Sequence, residues 1–171
     1  MTIHTEHPFA EPEDPVRRFR GRLGGAVSLW TAGEGSERAG LTVSSLMVAN
    51  GEPASVLGLL DPDSDLYAAL TATGRGVVQL LHAADRDLAD AFGGVAPAPG
   101  GAFRLGAWEQ TDAGPALLGR TRAQVRYVGE REVGWSVLVV AEIEEVVIAP
   151  DTGPLEHRRG RYLHPDVGPD R

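Results

Sequence analysis

Residues 40–53 read GLTVSSLMVANGEP, and this stretch departs from the pattern of an ordinary buried strand. Its first half is rich in β-formers, yet the small hydroxyl residues Thr42, Ser44 and Ser45 occupy positions where a buried strand usually carries valine or leucine. Its second half passes through Asn50, a glycine and a glutamate to a proline, which is typical of a polar turn. Because unpaired hydroxyls are costly in a protein core, the stretch predicts a strand with a polar group lying along its edge.

Strand-like segments dominate the chain on both sides of this stretch, and the helical segments between them are few and short. Apolar and β-branched runs bounded by turn residues predict the strands, and an apolar period of 3.6 residues predicts the helices. Asp63 or Ser64 is the candidate N-cap of the second helix. The tally of about six strands, with too few helices for βαβ units, predicts a mostly β fold: an antiparallel barrel with helices at its rim. The predicted strands are 26–33, 41–48, 55–60, 75–81, 123–129 and 135–149, the last two joined by 130–134; the predicted helices are 17–23, 65–70 and 85–94; a loop is predicted at 96–103.

The composition excludes several classes of chemistry. The chain has 171 residues with 42% hydrophobic content, which suits one domain whose core needs no metal or disulfide. It has no cysteine, so thiol chemistry, disulfides and cysteine-ligated metals are excluded. All 16 basic residues are arginine, and the absence of lysine excludes Schiff-base chemistry and a P-loop lysine. The formal net charge of -8 argues against nonspecific nucleic-acid binding.

The two ends of the chain predict its domain boundaries. Residues 1–15 lack the basic and apolar regions of a signal peptide and predict a disordered leader, followed by one domain over 16–165 and a short tail over 166–171. The longest apolar runs are far shorter than the roughly 20 residues of a membrane span, which argues against a membrane partner, and the absence of cysteine fits the reducing cytoplasm. The basic segment VRRFRGR, Val16–Arg22, favours a solvated helical turn over an anion site.

No complete catalytic or metal-binding pattern occurs among the motifs. The five histidines do not pair at metal-ligand spacing, so no metal site is predicted. No G-x-S-x-G segment supports a serine nucleophile, and GEGSERAG at 33–40 fits a hairpin turn better than a dinucleotide-binding loop. Trp30 and Trp135 lie in strand patterns, where core packing is the ordinary explanation of a tryptophan.

Five short segments occur in a recognisable order and spacing: GRLGGAVSLWTA (21–32), AGLTVSSLMV (39–48), EPASVLGLLDPDSDLYAALTATGRGVVQLL (52–81), LADAFGG (88–94) and PLEHRRGRY (154–162). Together they run in register from about Phe19 to Tyr162 and resemble the flavin reductase-like family of FMN-binding split barrels. The resemblance implies a six-stranded antiparallel split barrel with a few short helices, forming a homodimer that holds the flavin at its interface.

The resemblance also implies positions around the flavin. The segment TVSS and the turn after it run beside the flavin in this family, where backbone amides and small hydroxyls meet the pyrimidine edge and the ribityl chain. Small residues suit this place because a planar ring must lie against the backbone. The residues implied to contact the cofactor are Thr31, Thr42, Val43, Ser44, Ser45, Ala49 and Asn50, with Ser64 at the phosphate.

Two departures from the family pattern bear on phosphate binding and catalysis. Family members often carry a basic, hydroxyl-rich turn at the phosphate, whereas this chain has three aspartates around Ser64, which would repel a phosphate unless Arg22, Arg75 or an arginine of a second subunit intervenes. Many members also have Gly-Asp-His before the last long strand, whereas here a glycine is followed by Trp135 and Ser136. These two residues become the candidate catalytic positions, with the tryptophan stacking over the flavin, excluding the nicotinamide or packing in the core.

The activity implied by the resemblance is that of an NAD(P)H:flavin oxidoreductase. It would use FMN, with FAD as the alternative, take a hydride from NADH or NADPH, and supply reduced flavin to a partner monooxygenase. Two alternatives stay open. One is a non-catalytic flavin-binding module, suggested by the aspartates and the missing histidine, and the other is a split barrel for another ligand such as a deazaflavin or haem.

Overall fold

The computed structural model describes residues 14–163, so the predicted tail and nearly all of the predicted leader lie outside the described residues. Twelve strands and three α-helices make up this part of the chain, together with three single turns of 3₁₀-helix. The helices are α1 Pro15–Leu23, α2 Asp65–Thr73 and α3 Arg86–Phe92. The strands are β1 Gly25–Ala26, β2 Ser28–Ala32, β3 Ala39–Val43, β4 Leu46–Ala49, β5 Ser55–Leu60, β6 Arg75–Leu80, β7 Trp108–Thr111, β8 Gly114–Leu117, β9 Arg122–Val133, β10 Ser136–Val147, β11 Glu156–Arg158 and β12 Arg161–Leu163.

One curled antiparallel sheet organises the molecule, with the strand order β3-β2-β6-β9-β10-β5-β4. The mostly β, antiparallel prediction is confirmed, but the sheet has seven strands where six were predicted. The additional strand comes from residues 41–48, which were predicted as one strand and form two. β3 ends at Val43 and β4 begins at Leu46, so Ser44 and Ser45 lie between strands rather than within one.

This interruption closes the sheet. β3 and β4 are consecutive in the chain but lie at opposite edges of the sheet. Neighbouring strands lie about 4.8 Å apart, so the edges of a flat seven-stranded sheet would be about 29 Å apart. The two linking residues span about 11 Å at most. The sheet therefore has to curl until its edges approach each other without pairing, which gives a split barrel, and β3 contacts β5 across the closure.

Trp30 fills the inside of this barrel and is only 1% exposed. Its ring lies against Gly58 of β5, where an added Cβ would stand 2.8 Å from the ring. Its indole nitrogen donates to the Ser28 hydroxyl at 3.1 Å, and that hydroxyl donates to the Val43 carbonyl at 2.6 Å. The buried polar groups are thus paired, as a tightly packed core requires.

α2 packs against β2, β3 and β6 and contributes Leu66 and Leu70 to the same core. The Ser64 hydroxyl accepts a hydrogen bond from the Tyr67 backbone N–H at 3.2 Å, which confirms Ser64 as the N-cap. The helix ends at Gly74, whose φ of 71° is the left-handed conformation that glycine adopts without strain.

One predicted turn is wrong, and one hairpin was not predicted. Residues 130–134 were predicted to join the long strands, yet the ladder continues to the pair Val133–Ser136 and the turn consists of Gly134 and Trp135 alone. Long-range pairing with β10 overrides the polar composition of this segment. The β7–β8 hairpin was not predicted, although its second strand, with Gly114 and Pro115, is buried throughout.

Candidate functional site

The crossover between β3 and β4 presents the hydroxyls that distinguish this chain. Ser44 is exposed and Ser45 is half-buried, and the Ser45 carbonyl accepts a hydrogen bond from Leu59 N at 2.9 Å. Beyond it, β4 pairs with β5 on one side, and no strand of residues 14–163 pairs with its other side. Met47 and Val48 are 63% and 62% exposed. The crossover edge, Ser44–Asn50, therefore offers hydroxyls, free backbone groups and apolar side chains together.

The aspartate turn lies at the same end of the sheet. Leu60 ends β5, only one residue after the strand's hydrogen bond to Ser45, and the turn Asp61–Ser64 follows directly. The Asp61 carboxylate accepts from the Asp63 N–H at 2.9 Å, and the Ser64 hydroxyl donates to the Asp61 carbonyl at 2.7 Å. The Ser64 hydroxyl therefore already serves the turn and the helix cap, while three carboxylates flank it.

The tip of the β9–β10 hairpin extends just past this turn, because Val137 pairs with Leu60 in the sheet. Trp135 lies in the two-residue turn and is 62% exposed, so it is not a core tryptophan. Ser136 is half-buried and is the first residue of β10. The Ser44–Ser45 end of the crossover edge, the aspartate turn and the hairpin tip thus meet at one end of the barrel.

Glu130 of β9 accepts one hydrogen bond from α2 and one from its own strand, and the first of these ties the hairpin to the helix. The hydroxyls of Tyr67 and Tyr127 donate to the two carboxylate oxygens of Glu130, at 2.6 and 2.9 Å. The hydrogen bond to Glu130, together with burial, raises the pKa of Tyr67 to about 12. Both tyrosines therefore stay protonated as donors at neutral pH.

The side chains of three predicted cofactor ligands are engaged within the fold. Thr31 is 1% exposed, and its hydroxyl donates to the Pro115 carbonyl at 2.5 Å and accepts from the Gln79 side chain at 3.2 Å. The Thr42 hydroxyl donates to the Ala89 carbonyl of α3 at 2.7 Å, and Val43 is buried in the core. The structure places Ser44 and Ser45 at one end of β4 and Ala49 and Asn50 at the other, all on the crossover edge.

Arg20 of α1 reaches the same edge, and sequence reasoning did not single it out. Its Nη2 lies 3.3 Å from the Ser45 hydroxyl. Of the arginines named from the sequence, Arg75 forms an ion pair with Glu144 at 3.1 Å, and Arg22 makes no ion pair with a described residue. The sequence signal for Arg20 was its place in the basic helix one residue before Gly21, whose carbonyl accepts a hydrogen bond from Arg159 N–H.

The sequence pattern of the flavin reductase like domain matches residues 20–165. The chain belongs to this family. FMN reductase (NADH) RutF 1 of Methylorubrum extorquens strain PA1 is 30% identical over 148 residues, covering 85% of this chain and 73% of the relative. NADH-dependent FMN reductase AsuE2 of Streptomyces nodosus subsp. asukaensis is 30% identical over 162 residues, covering 85% of this chain and 81% of the relative.

The solved structure of NADH:FAD oxidoreductase SgcE6 of Streptomyces globisporus C-1027 superposes with a TM-score of 0.79 at 24% identity, covering 94% of this chain and 97% of that one. At this level of identity the superposition shows the shared fold. The flavin reductase family and its split-barrel fold, inferred above from five short segments, are therefore confirmed.

The residues of the crossover edge fit the flavin that this family implies. A flavin ring has two apolar faces and a pyrimidine edge rich in hydrogen-bonding groups, and the edge supplies apolar Met47 and Val48 beside unpaired backbone donors and acceptors. The hydroxyls of Ser44 and Ser45 suit a ribityl chain. In the flavin reductase family, the bound flavin accepts the hydride, and the protein holds the flavin in position.

Other features of the described residues lie away from this edge. A cavity of about 320 Å³ is lined by Glu34, Thr73, Asp112 and the β7–β8 turn, and its carboxylates disfavour a phosphate-bearing ligand. No cluster of three or more metal-ligating side chains occurs within residues 14–163. No helix in this part of the chain has the length and hydropathy needed to cross a membrane.

Proposed function

We propose that this chain is an NADH-dependent flavin reductase that uses FMN, with FAD as the alternative flavin. The observation that carries the proposal is the crossover edge, an exposed strand edge with two serine hydroxyls in a member of the flavin reductase family. The names of its relatives, FMN reductase (NADH) and NADH-dependent FMN reductase, support FMN and NADH. SgcE6, whose structure has also been solved with NAD and FAD fragments, supports FAD as the alternative.

The proposed roles follow from the placement of each residue. Ser44 and Ser45 bind the ribityl chain and Ala49 and Asn50 lie along the ring, because they share the crossover edge. At the hairpin tip, Trp135 and Ser136 border the ring's open face, where the nicotinamide enters. Ser64, with its hydroxyl engaged in the helix cap, contributes through the α2 N-terminus rather than as a free donor. Thr31 on β2, with Thr42 and Val43 on β3, supports the crossover edge from within the fold.

The outer face of the sheet supports a homodimer with the flavin at its interface. Leu57 pairs with Val140 and Leu59 with Leu138, and Met47 lies beside Leu57. Because side chains alternate across a sheet, these five residues share one face, opposite to the core residues between them. Leu59 and Met47 are 39% and 63% exposed. A contiguous apolar face of this kind is typical of a subunit interface.

A partner monooxygenase and a cytoplasmic location complete the proposal. A homolog of nitrilotriacetate monooxygenase component B from Mycobacterium thermoresistibile has a TM-score of 0.78 at 22% identity, covering 91% of this chain and 89% of that one. That name supports a reductase component that passes reduced flavin to an oxygenase. The whole of residues 16–165 acts as one catalytic domain.

Anaerobic titration of the purified protein with NADH, and separately with NADPH, tests the activity. With FMN present, we expect stoichiometric bleaching of the flavin absorbance by NADH, and the same experiment with FAD ranks the two flavins. Flavin binding without bleaching by either nicotinamide would replace this proposal with the non-catalytic flavin-binding module. That alternative is favoured by Trp135 and Ser136 standing where many family members have Asp-His.

A further inference from the structure

Arg20 carries a charge that the described residues do not neutralise. Its guanidinium donates to the neutral hydroxyl of Ser45, and it forms no ion pair within residues 14–163. A guanidinium has five N–H donors, so most of its capacity remains unused by the protein. An arginine held beside a hydroxyl at a strand crossover offers several N–H donors to an anion.

The β11–β12 hairpin carries further arginines, whose placement lowers its local stability. Arg158 and Arg161 are directly opposite each other in the ladder, and like charges in this position destabilise a strand pair. Arg159 has a φ of 53° in the two-residue turn, a conformation that favours asparagine, aspartate or glycine. No described residue forms an ion pair with these three arginines. Two unfavourable choices at one turn favour a functional role for its charge over a structural one.

This hairpin lies against α1 next to Arg20. The Arg159 N–H donates to the Gly21 carbonyl at 2.7 Å, and Gly21 is the residue after Arg20. Burial and the charge of Arg20 both lower the pKa of His157 on β11, so that Arg20 acts on this hairpin electrostatically as well as by contact. The two elements thus bring arginines of α1 and of the β11–β12 hairpin close together on a chain whose net charge is -8.

A phosphate bound near the acidic turn at the crossover would need such a cation. Asp61 and its two neighbouring aspartates face the same sheet end as Ser45, and carboxylates repel a phosphate. Arg75 is already paired with Glu144. Arg20 is therefore the arginine that the fold brings to the crossover.

We infer that Arg20 binds a phosphate group of the nucleotides in this reaction, with Arg158, Arg159 and Arg161 adding positive potential beside it. The inference rests on the proposed function and names one chemistry, a phosphate ester, with two sources: the flavin phosphate or the pyrophosphate of the nicotinamide dinucleotide. It gives Arg20 a role that the sequence interpretation of Val16–Arg22 as a solvated turn did not.

Equilibrium titrations followed by flavin fluorescence compare FMN with riboflavin, which lacks the phosphate. In Arg20→Gln we expect FMN to bind about tenfold more weakly and riboflavin to change by less than about twofold. Arg18→Gln is the matched control, because it removes the same charge from the same helix about 160° away around the axis. We expect both affinities of that variant to stay within about twofold of the parental values.

The second source is tested with NADH against reduced nicotinamide mononucleotide, which lacks the pyrophosphate. A rise in KM for NADH alone, with FMN affinity unchanged in Arg20→Gln, assigns the phosphate to the dinucleotide and supports the inference. Equal weakening of FMN and riboflavin would show that Arg20 acts by positioning Ser45 and would overturn it. So would unchanged FMN binding together with an unchanged KM for NADH.

Two further measurements keep the inference testable if Arg20→Gln does not fold. Arg20→Lys keeps the charge, and we expect it to retain most of the preference for FMN over riboflavin. In the parental protein, added salt should weaken FMN binding more than riboflavin binding; without a cationic site, salt would instead relieve repulsion from this acidic chain. Flavin binding without reduction by NADH would defeat the proposed function, while the comparison of FMN with riboflavin would still decide the role of Arg20.

Discussion

At the scale of single residues, the fit between Gly58 and Trp30 decides how the barrel is filled. The tryptophan ring occupies the space that a side chain at position 58 would need, so β5 can pass close to it only with glycine. The neighbouring residues Val56 and Leu60 are buried on the same face and pack around the ring. Gly58 thus sets the position of β5, whose end carries the aspartate turn.

We predict that Gly58→Ala destabilises the protein by about 1–3 kcal/mol, because the added methyl group overpacks a core that cannot shift a tryptophan ring cheaply. Gly129→Ala is the matched control: it lies in β9, has no atom within 4 Å of the added Cβ, and should leave stability unchanged or slightly raised. Urea unfolding of both variants measures the difference. Equal midpoints for the two would contradict the close approach.

At the scale of elements, the β9–β10 hairpin connects the core to the site. Tyr67 of α2 donates to Glu130 of β9 and so ties the hairpin to the helix, and the hairpin tip carries Trp135 beyond the aspartate turn. Register shifts at Val140 and Ile143 bend β10 as the sheet curls. The hairpin therefore holds the tip in a fixed place while the tryptophan itself contributes little to the core.

We predict that Trp135→His changes the rate of flavin reduction by NADH much more than it changes flavin affinity, because the side chain borders the open face of the ring. Its exposure of 62% implies a stability change within about 0.5 kcal/mol. Rapid-mixing absorbance and fluorescence titration measure the two effects. Val146→His is the control, because Val146 is also exposed but lies at the other end of β10, away from the turn. An unchanged rate with a drop of several degrees in unfolding temperature would make Trp135 a packing residue.

At the scale of the whole molecule, the two faces of the sheet are covered unequally by other elements. The inside is filled by the tryptophan core and α2, and part of the outside is covered by α3 and the C-terminal strands. The outer face of β5 and β10 has apolar side chains that join neither cluster. A second subunit on this face would also enclose the adjacent crossover edge.

We predict a homodimer that Leu59→Glu dissociates, since a carboxylate placed on the apolar face has no partner across the interface. Leu80→Glu is the matched control, because the two leucines are 39% and 41% exposed and Leu80 lies on β6. Light scattering should give about twice the 18.1 kDa chain mass for the parental protein and for the control. FMN affinity should fall together with dimerisation. A parental protein that is monomeric at micromolar concentration would contradict the interface.

The sequence by itself determined the chemistry that the chain lacks, the antiparallel β character, the cap at Ser64 and the unusual hydroxyls after Gly40. These follow from residue types and short-range patterns, which act over a few positions. Tertiary structure alone decided that β3 and β4 lie at opposite edges, that Ser45 faces the crossover while Thr42 bonds α3, and that Arg20 meets a serine 25 residues away. The reason is that closure of the barrel depends on pairings between distant strands, and no local propensity encodes which edge a strand will join.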